Sequence, residues 1–106
     1  LGDILRLEGL GHLRTKQQFQ DFELHTYIRT SRAHNGGILF RSAGGGTSQG
    51  RNYEIQLHNV EGAHFPTGSL YHHKRAQYPR IQDEHWYLFQ MVAKGRTLLI
   101  RINGEN

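Results

Sequence analysis

The sequence predicts an all-β protein, an antiparallel β-sandwich, and three observations carry that prediction. Apolar residues recur with period two in Phe22, Leu24 and Ile28, in Ile38 and Phe40, and in Tyr53, Ile55 and Leu57. That is the spacing of one face of a strand. The runs are short and are separated by stretches rich in Gly, Ser, Thr and Asn, the punctuation of a sandwich or jelly roll. No amphipathic helix of useful length, heptad pattern or internal repeat competes with this reading.

Taken in order, Ile4 to Glu8 and His12 to Thr15 read as strands entered from something upstream. The run from Phe22 to Ile28 follows, and then a turn-rich stretch from Thr30 to Gly37, in which Asn35-Gly36-Gly37 reads as a structural turn. Ile38 to Arg41 is the next strand, and the glycine-rich Ala43 to Gly50 is a loop without phosphate-loop spacing. Tyr53 to His58 alternates sharply. Val60 to Asp83 is irregular and holds both prolines. Trp86 to Ala93 and Thr97 to Ile102 form a hairpin across Lys94-Gly95-Arg96. Asn103-Gly104 is a strong hairpin signal, because both residues tolerate the positive φ of a type I′ turn. Its partner strand, like those of the first segments, is expected elsewhere, so residues 1–106 are read as a single β-sandwich domain that is the larger part of a longer one.

Composition narrows the function. There are no cysteines, which removes disulfides and thiolate zinc sites. No apolar run approaches the roughly 20 residues that cross a bilayer as a helix. The formal charge is +4, but the 13 basic residues are scattered and Lys74-Arg75 is their only adjacent pair. A phosphate backbone needs a continuous basic stripe, so no nucleic-acid partner is expected.

Alternation within Tyr53 to His58 sets Tyr53, Ile55 and Leu57 on one face and Glu54, Gln56 and His58 on the other. A carboxylate, an amide and an imidazole therefore stand in a row. Such a row is either the solvated face of a sheet or a site. Arg41 shares a face with Leu39 and Gly37; it is either a guanidinium beside that row or a surface partner of Glu23 or Glu84.

The ordered motifs Phe19-Gln20-Asp21-Phe22-Glu23-Leu24, Asn35-Gly36-Gly37-Ile38-Leu39-Phe40-Arg41, Tyr53-Glu54-Ile55-Gln56-Leu57, Thr67-Gly68-Ser69-Leu70-Tyr71, Glu84-His85-Trp86 and Ile102-Asn103-Gly104 resemble those of the 3-keto-disaccharide hydrolase family, from about Asp3 to Asn106. The chain departs from the family pattern at Gly36, where a serine is usual, and at His85-Trp86-Tyr87, where Trp-Asn is usual after the glutamate. The resemblance implies a concanavalin-like jelly roll, an oxidised disaccharide or glycoside as partner, and a periplasmic or extracellular location. In some members it also implies a divalent metal.

A 3-keto sugar calls for a base at carbon 2, a group that holds the enolate oxygen and an acid for the departing oxygen. On this reading Glu54 or His58 is the base, Arg41 stabilises the oxyanion, and Tyr71, His72 or His73 is the acid. Gln56, Tyr71, His72, His73 and Trp86 bind substrate, with Tyr78 a further aromatic candidate. Trp86 alternates with Leu88, Gln90 and Val92, so it is either a stacking platform or core. No cofactor is required with certainty. A divalent metal, if used, is held by His72-His73 with His58, His64 or His85, although adjacent strand residues point to opposite faces and the spacing gives that set no support, or is calcium on loop oxygens. The alternative function is a non-catalytic carbohydrate-binding or adhesion module, since one fold hosts both.

Overall fold

The computed structural model describes residues 3–9, 11–43, 51–77 and 81–106; the Gly44–Gly46 stretch and Tyr78 lie outside them. It contains five strands, β1 (Phe22–Ile28), β2 (Asn35–Ala43), β3 (Arg51–His58), β4 (Tyr87–Lys94) and β5 (Thr97–Ile102). They form two antiparallel sheets, one ordered β1-β4-β5 and the other pairing β2 with β3. The prediction of an antiparallel β-sandwich holds.

The central strand β4 shows why. Its residues alternate so that Tyr87, Phe89, Met91 and Ala93 all fall on one face and are buried, while Leu88, Gln90 and Val92 face outward. β1 does the same with Phe22, Leu24, Thr26 and Ile28 inward. From the other sheet Phe40, Ile55 and Leu57 meet this face, and the ring of Phe22 packs edge-on against Phe40 across the sandwich at 6.1 Å. Burying each large apolar side chain is worth about 1.5–3 kcal/mol, enough to fix which face of each strand points inward.

The turns follow their residues. Lys94 pairs with Thr97, leaving Gly95-Arg96 as a two-residue loop, and the positive φ of Gly95 (56°) suits the first central position of a type II′ turn. Asn103 and Gly104 both have positive φ (50° and 83°), as a type I′ turn requires, and Ile102 bridges to Glu105 beyond them. Asn103 also fastens this end to β4. Its backbone N–H donates to the Leu88 carbonyl and its side-chain oxygen accepts from the Leu88 N–H, both at 2.9 Å.

Three expectations about elements are corrected. Ile4 to Glu8 and His12 to Thr15 form no strand among the described residues, and Ile4, Leu5, Leu7 and Leu13 are exposed; alternation alone makes no strand without a neighbour to share its backbone hydrogen bonds. Asn35-Gly36-Gly37 is not a turn. It opens β2, paired with His58, Leu57 and Gln56. Trp86 is not core: it precedes β4 and is 51% exposed, because the buried face of that strand is the one carrying Tyr87.

Candidate active site

Beyond β3 the chain returns as a further edge. Residues 67–71 run antiparallel to β3: the N–H groups of Thr67, Gly68 and Tyr71 donate to the carbonyls of His58, Gln56 and Glu54, and the Gln56 N–H donates to Ser69. Leu70 bridges to Ile55 and packs on the core, so Ser69 and Tyr71 belong to the face that carries Glu54 and Gln56. Gly68, with φ of 93°, lies against Ile102; a β carbon there would stand 3.4 Å from the Ile102 side chain. The sheet surface built by β2, β3 and this segment is therefore the one the sequence marked.

The row forms as alternation predicts. Glu54 is half-buried, and desolvation raises its pKa above the ordinary carboxylate value, against the opposing pull of the His72 and His12 imidazoles. Gln56 is buried on the same face, its amide donating to Asn35 Oδ1 at 2.8 Å. His58 places Nδ1 3.0 Å from the His34 carbonyl. A carbonyl only accepts, so Nδ1 carries a proton and donates here. The His58 end is tied down further, since its N–H donates to Thr67 Oγ1 and that hydroxyl donates to Asn59 Oδ1.

Tyr71 and His72 gather beside Glu54. The Tyr71 and His72 rings lie 4.0 Å apart, Phe65 packs edge-on to both, and His64 packs edge-on to Phe65. His72 has a φ of 66°, a left-handed conformation uncommon outside glycine. That conformation breaks strand alternation and lets His72 approach Glu54. His73 goes elsewhere, 5.8 Å from the ring of Tyr53, which stacks on Phe40.

Arg41 does not line this row. The register of β2 and β3 shifts between Phe40 and Ala43, and Arg41 sits in that irregularity with a φ of 51°. Its guanidinium donates to the carbonyls of Gln20 (3.0 Å) and Gly95 (2.6 Å) and meets Asp21 at 3.3 Å. Asp21 in turn accepts from the Gly95 N–H. The partner is thus neither Glu23 nor Glu84, and the contacts tie β2 to the start of β1 and the β4–β5 turn. Trp86 stands apart as well, ahead of β4 in the other sheet. Its corner links two loops, with Asp83 accepting from the Ala33 N–H and Glu84 donating to Thr30.

Two contributors escaped the sequence reading. His12 lies in a segment that reads as a strand of its own, and nothing in its neighbours marks it as a partner of Glu54. Gly37 carried a signal that was misread as a turn: it shares the face of Leu39 and the Glu54 row, and a β carbon there would fall 2.2 Å from Glu54 Oε2.

Among the described residues no group of three or more His, Asp or Glu is placed to hold a metal ion. His72 and His73 diverge, and His58 Nδ1 is engaged with His34. The histidine set does not fit a metal here, and the chemistry below uses the chain's own groups.

Fold and surface together define an antiparallel sandwich with a desolvated carboxylate among imidazole, phenol and amide groups on one sheet. The sequence profile of the 3-keto-alpha-glucoside-1,2-lyase-like domain matches residues 3–106, and the chain belongs to that family. No curated protein and no solved structure matches the chain. Among the described residues no helix is long and apolar enough to cross a membrane.

Proposed function

We propose that this surface cleaves 3-keto-glycosides, including 3-keto-disaccharides, by elimination across carbons 1 and 2, with Glu54 as the base. The observation that carries this is the position of Glu54: a half-buried carboxyl of raised pKa, within electrostatic reach of His72 and on the sheet face of the neighbouring Tyr71 segment. The description of the family names a 1,2-lyase acting on a 3-keto-alpha-glucoside, which fits the same bond.

The ketone at carbon 3 acidifies the proton on carbon 2. Glu54 removes that proton, the electron pair forms the carbon 1–carbon 2 double bond, and the bond from carbon 1 to the glycosidic oxygen breaks. The departing oxygen takes a proton from an acid on the protein, and water adds to the unsaturated ketone to give net hydrolysis. A base whose pKa is lifted toward the working pH takes a stronger hold on the proton while still ionised.

Spacing selects the acid. Same-face residues of one strand are about 6.8 Å apart, so Glu54 and His58 are separated by about 14 Å along β3, too far to serve one carbon 1–carbon 2 pair directly. The adjacent segment lies about 4.8 Å from β3. Tyr71 or His72 therefore serves as the acid for a base at Glu54, and Gln56 and His58 hold the more distant part of the sugar. Arg41, bound to Gln20, Asp21 and Gly95, acts by positioning strands, and enolate stabilisation falls to the donors around Glu54. A periplasmic or extracellular location belongs to the same proposal, resting on the family resemblance.

The test compares a 3-keto-glucoside with its non-oxidised parent and follows aglycone release. Release from the keto compound alone supports the α-proton route. Release from both argues for an ordinary glycosidase, and sugar binding without release favours the binding-module alternative.

A further inference from the structure

Gly37 lies inside a regular stretch of β2, paired with Gln56, and its φ is not in the left-handed region. The backbone there does not demand glycine. What demands it is space: a β carbon would lie 2.2 Å from Glu54 Oε2, 2.7 Å from Cγ and 2.8 Å from Cδ. Three consecutive atoms of one side chain would be struck, so the Glu54 side chain lies flat across the strand where Gly37 has no side chain. Its neighbour Gly36 differs. A β carbon there meets only the ring of His34, at 2.7 Å from Nε2, and a ring at the end of a side chain can swing away.

We propose that Gly37 is a positioning residue of the active site, its bare backbone forming the seat that holds the Glu54 carboxyl beside Tyr71 and His72. The inference rests on the reading of Glu54 as the base. Filling the seat lifts the carboxyl off β2 and out of line with the substrate carbon, and a misplacement of about 1 Å costs on the order of 100-fold in rate. Because the seat holds the base and not the sugar, kcat falls and KM stays close to its original value.

The experiment uses Gly37→Ala, with Gly36→Ala as a control of the same composition change one residue away. Turnover of a 3-keto-glucoside is followed alongside the titration of the Glu54 carboxyl by carbon NMR. Gly37→Ala is expected to lower kcat about 100-fold and to move the Glu54 titration toward the ordinary 4.5, as the carboxyl is pushed into water. Gly36→Ala is expected to change neither. Should Gly37→Ala leave the Glu54 titration and kcat where they were, or lower kcat no more than Gly36→Ala does, the inference fails.

A denaturation cycle over Gly37→Ala, Glu54→Ala and the double variant gives a readout independent of turnover. Removing the Glu54 side chain vacates the seat, so the alanine at 37 is expected to destabilise the parent and to be tolerated when residue 54 is also alanine. Additive effects overturn the seat even if turnover falls. If the cycle shows coupling while Glu54→Gln retains full turnover, the seat stands and the assignment of Glu54 as base is what falls.

Discussion

The two sheets of the sandwich obey different rules. In β1-β4-β5 the registers run unbroken, every inward side chain of β4 is buried, and the turns have the residues their geometry asks for. In β2-β3 and the segment beside it, the register slips at Arg41, His72 takes a left-handed conformation and Glu54 sits where a β carbon is missing. The buried polar side chains of the described residues, Gln56, Thr67 and Ser69, also lie on this side. One sheet supplies stability, and the other uses it to hold polar groups in an arrangement that a solvated strand would not keep.

If that division is right, damage to the first sheet unfolds the protein and damage to the second disarms it. The largest effect on stability is expected from Phe89→Ala, which leaves a cavity at the centre of the core and costs about 3–5 kcal/mol by chemical denaturation. Next comes Arg41→Met, which frees two backbone carbonyls and Asp21 and is expected to cost about 1–3 kcal/mol. Loss of turnover by still-folded Arg41→Met protein, with stability unchanged, would instead return Arg41 to the reacting groups. Asn103→Ala removes a side-chain acceptor and a residue suited to positive φ, and about 1 kcal/mol is expected, with kcat unchanged in the folded protein.

The smallest effect is one of pH. Because the Glu54 pKa is raised on folding, the native state holds its proton more tightly than the unfolded chain, so stability falls as pH rises from 4.5 through the native pKa. Glu54→Gln lacks this ionisation, so its stability relative to the parent is expected to rise across that window in melts taken at a series of pH values. The same group predicts that kcat/KM of the parent rises with pH on an acid limb whose midpoint lies above 4.5.

The sequence made the first sheet legible because strand period, burial and turn chemistry all agreed there. Tyr87 to Ala93, the Gly95 turn and Asn103-Gly104 each follow from nearest neighbours. The Glu54, Gln56 and His58 row was legible for the same reason. Arg41 was not, since alternation assigns a face only while the register holds, and a bulge cancels it. Nor was the approach of His72 to Glu54, which depends on one left-handed φ, although alternation did foretell that His72 and His73 diverge. Gly37 illustrates a third failure: a glycine in sequence announces freedom of φ and volume alike, and only the strand opposite shows that volume was the one needed.

The most direct test of the account is turnover of a 3-keto-glucoside by the parent protein and by Glu54→Gln, with folding of both verified by denaturation. Glu54→Gln preserves shape and removes the base, so kcat is expected to fall by about 100-fold or more while sugar binding persists. A folded Glu54→Gln protein that turns over the keto sugar at the parental rate would contradict the assignment of this sheet surface as a site built around Glu54.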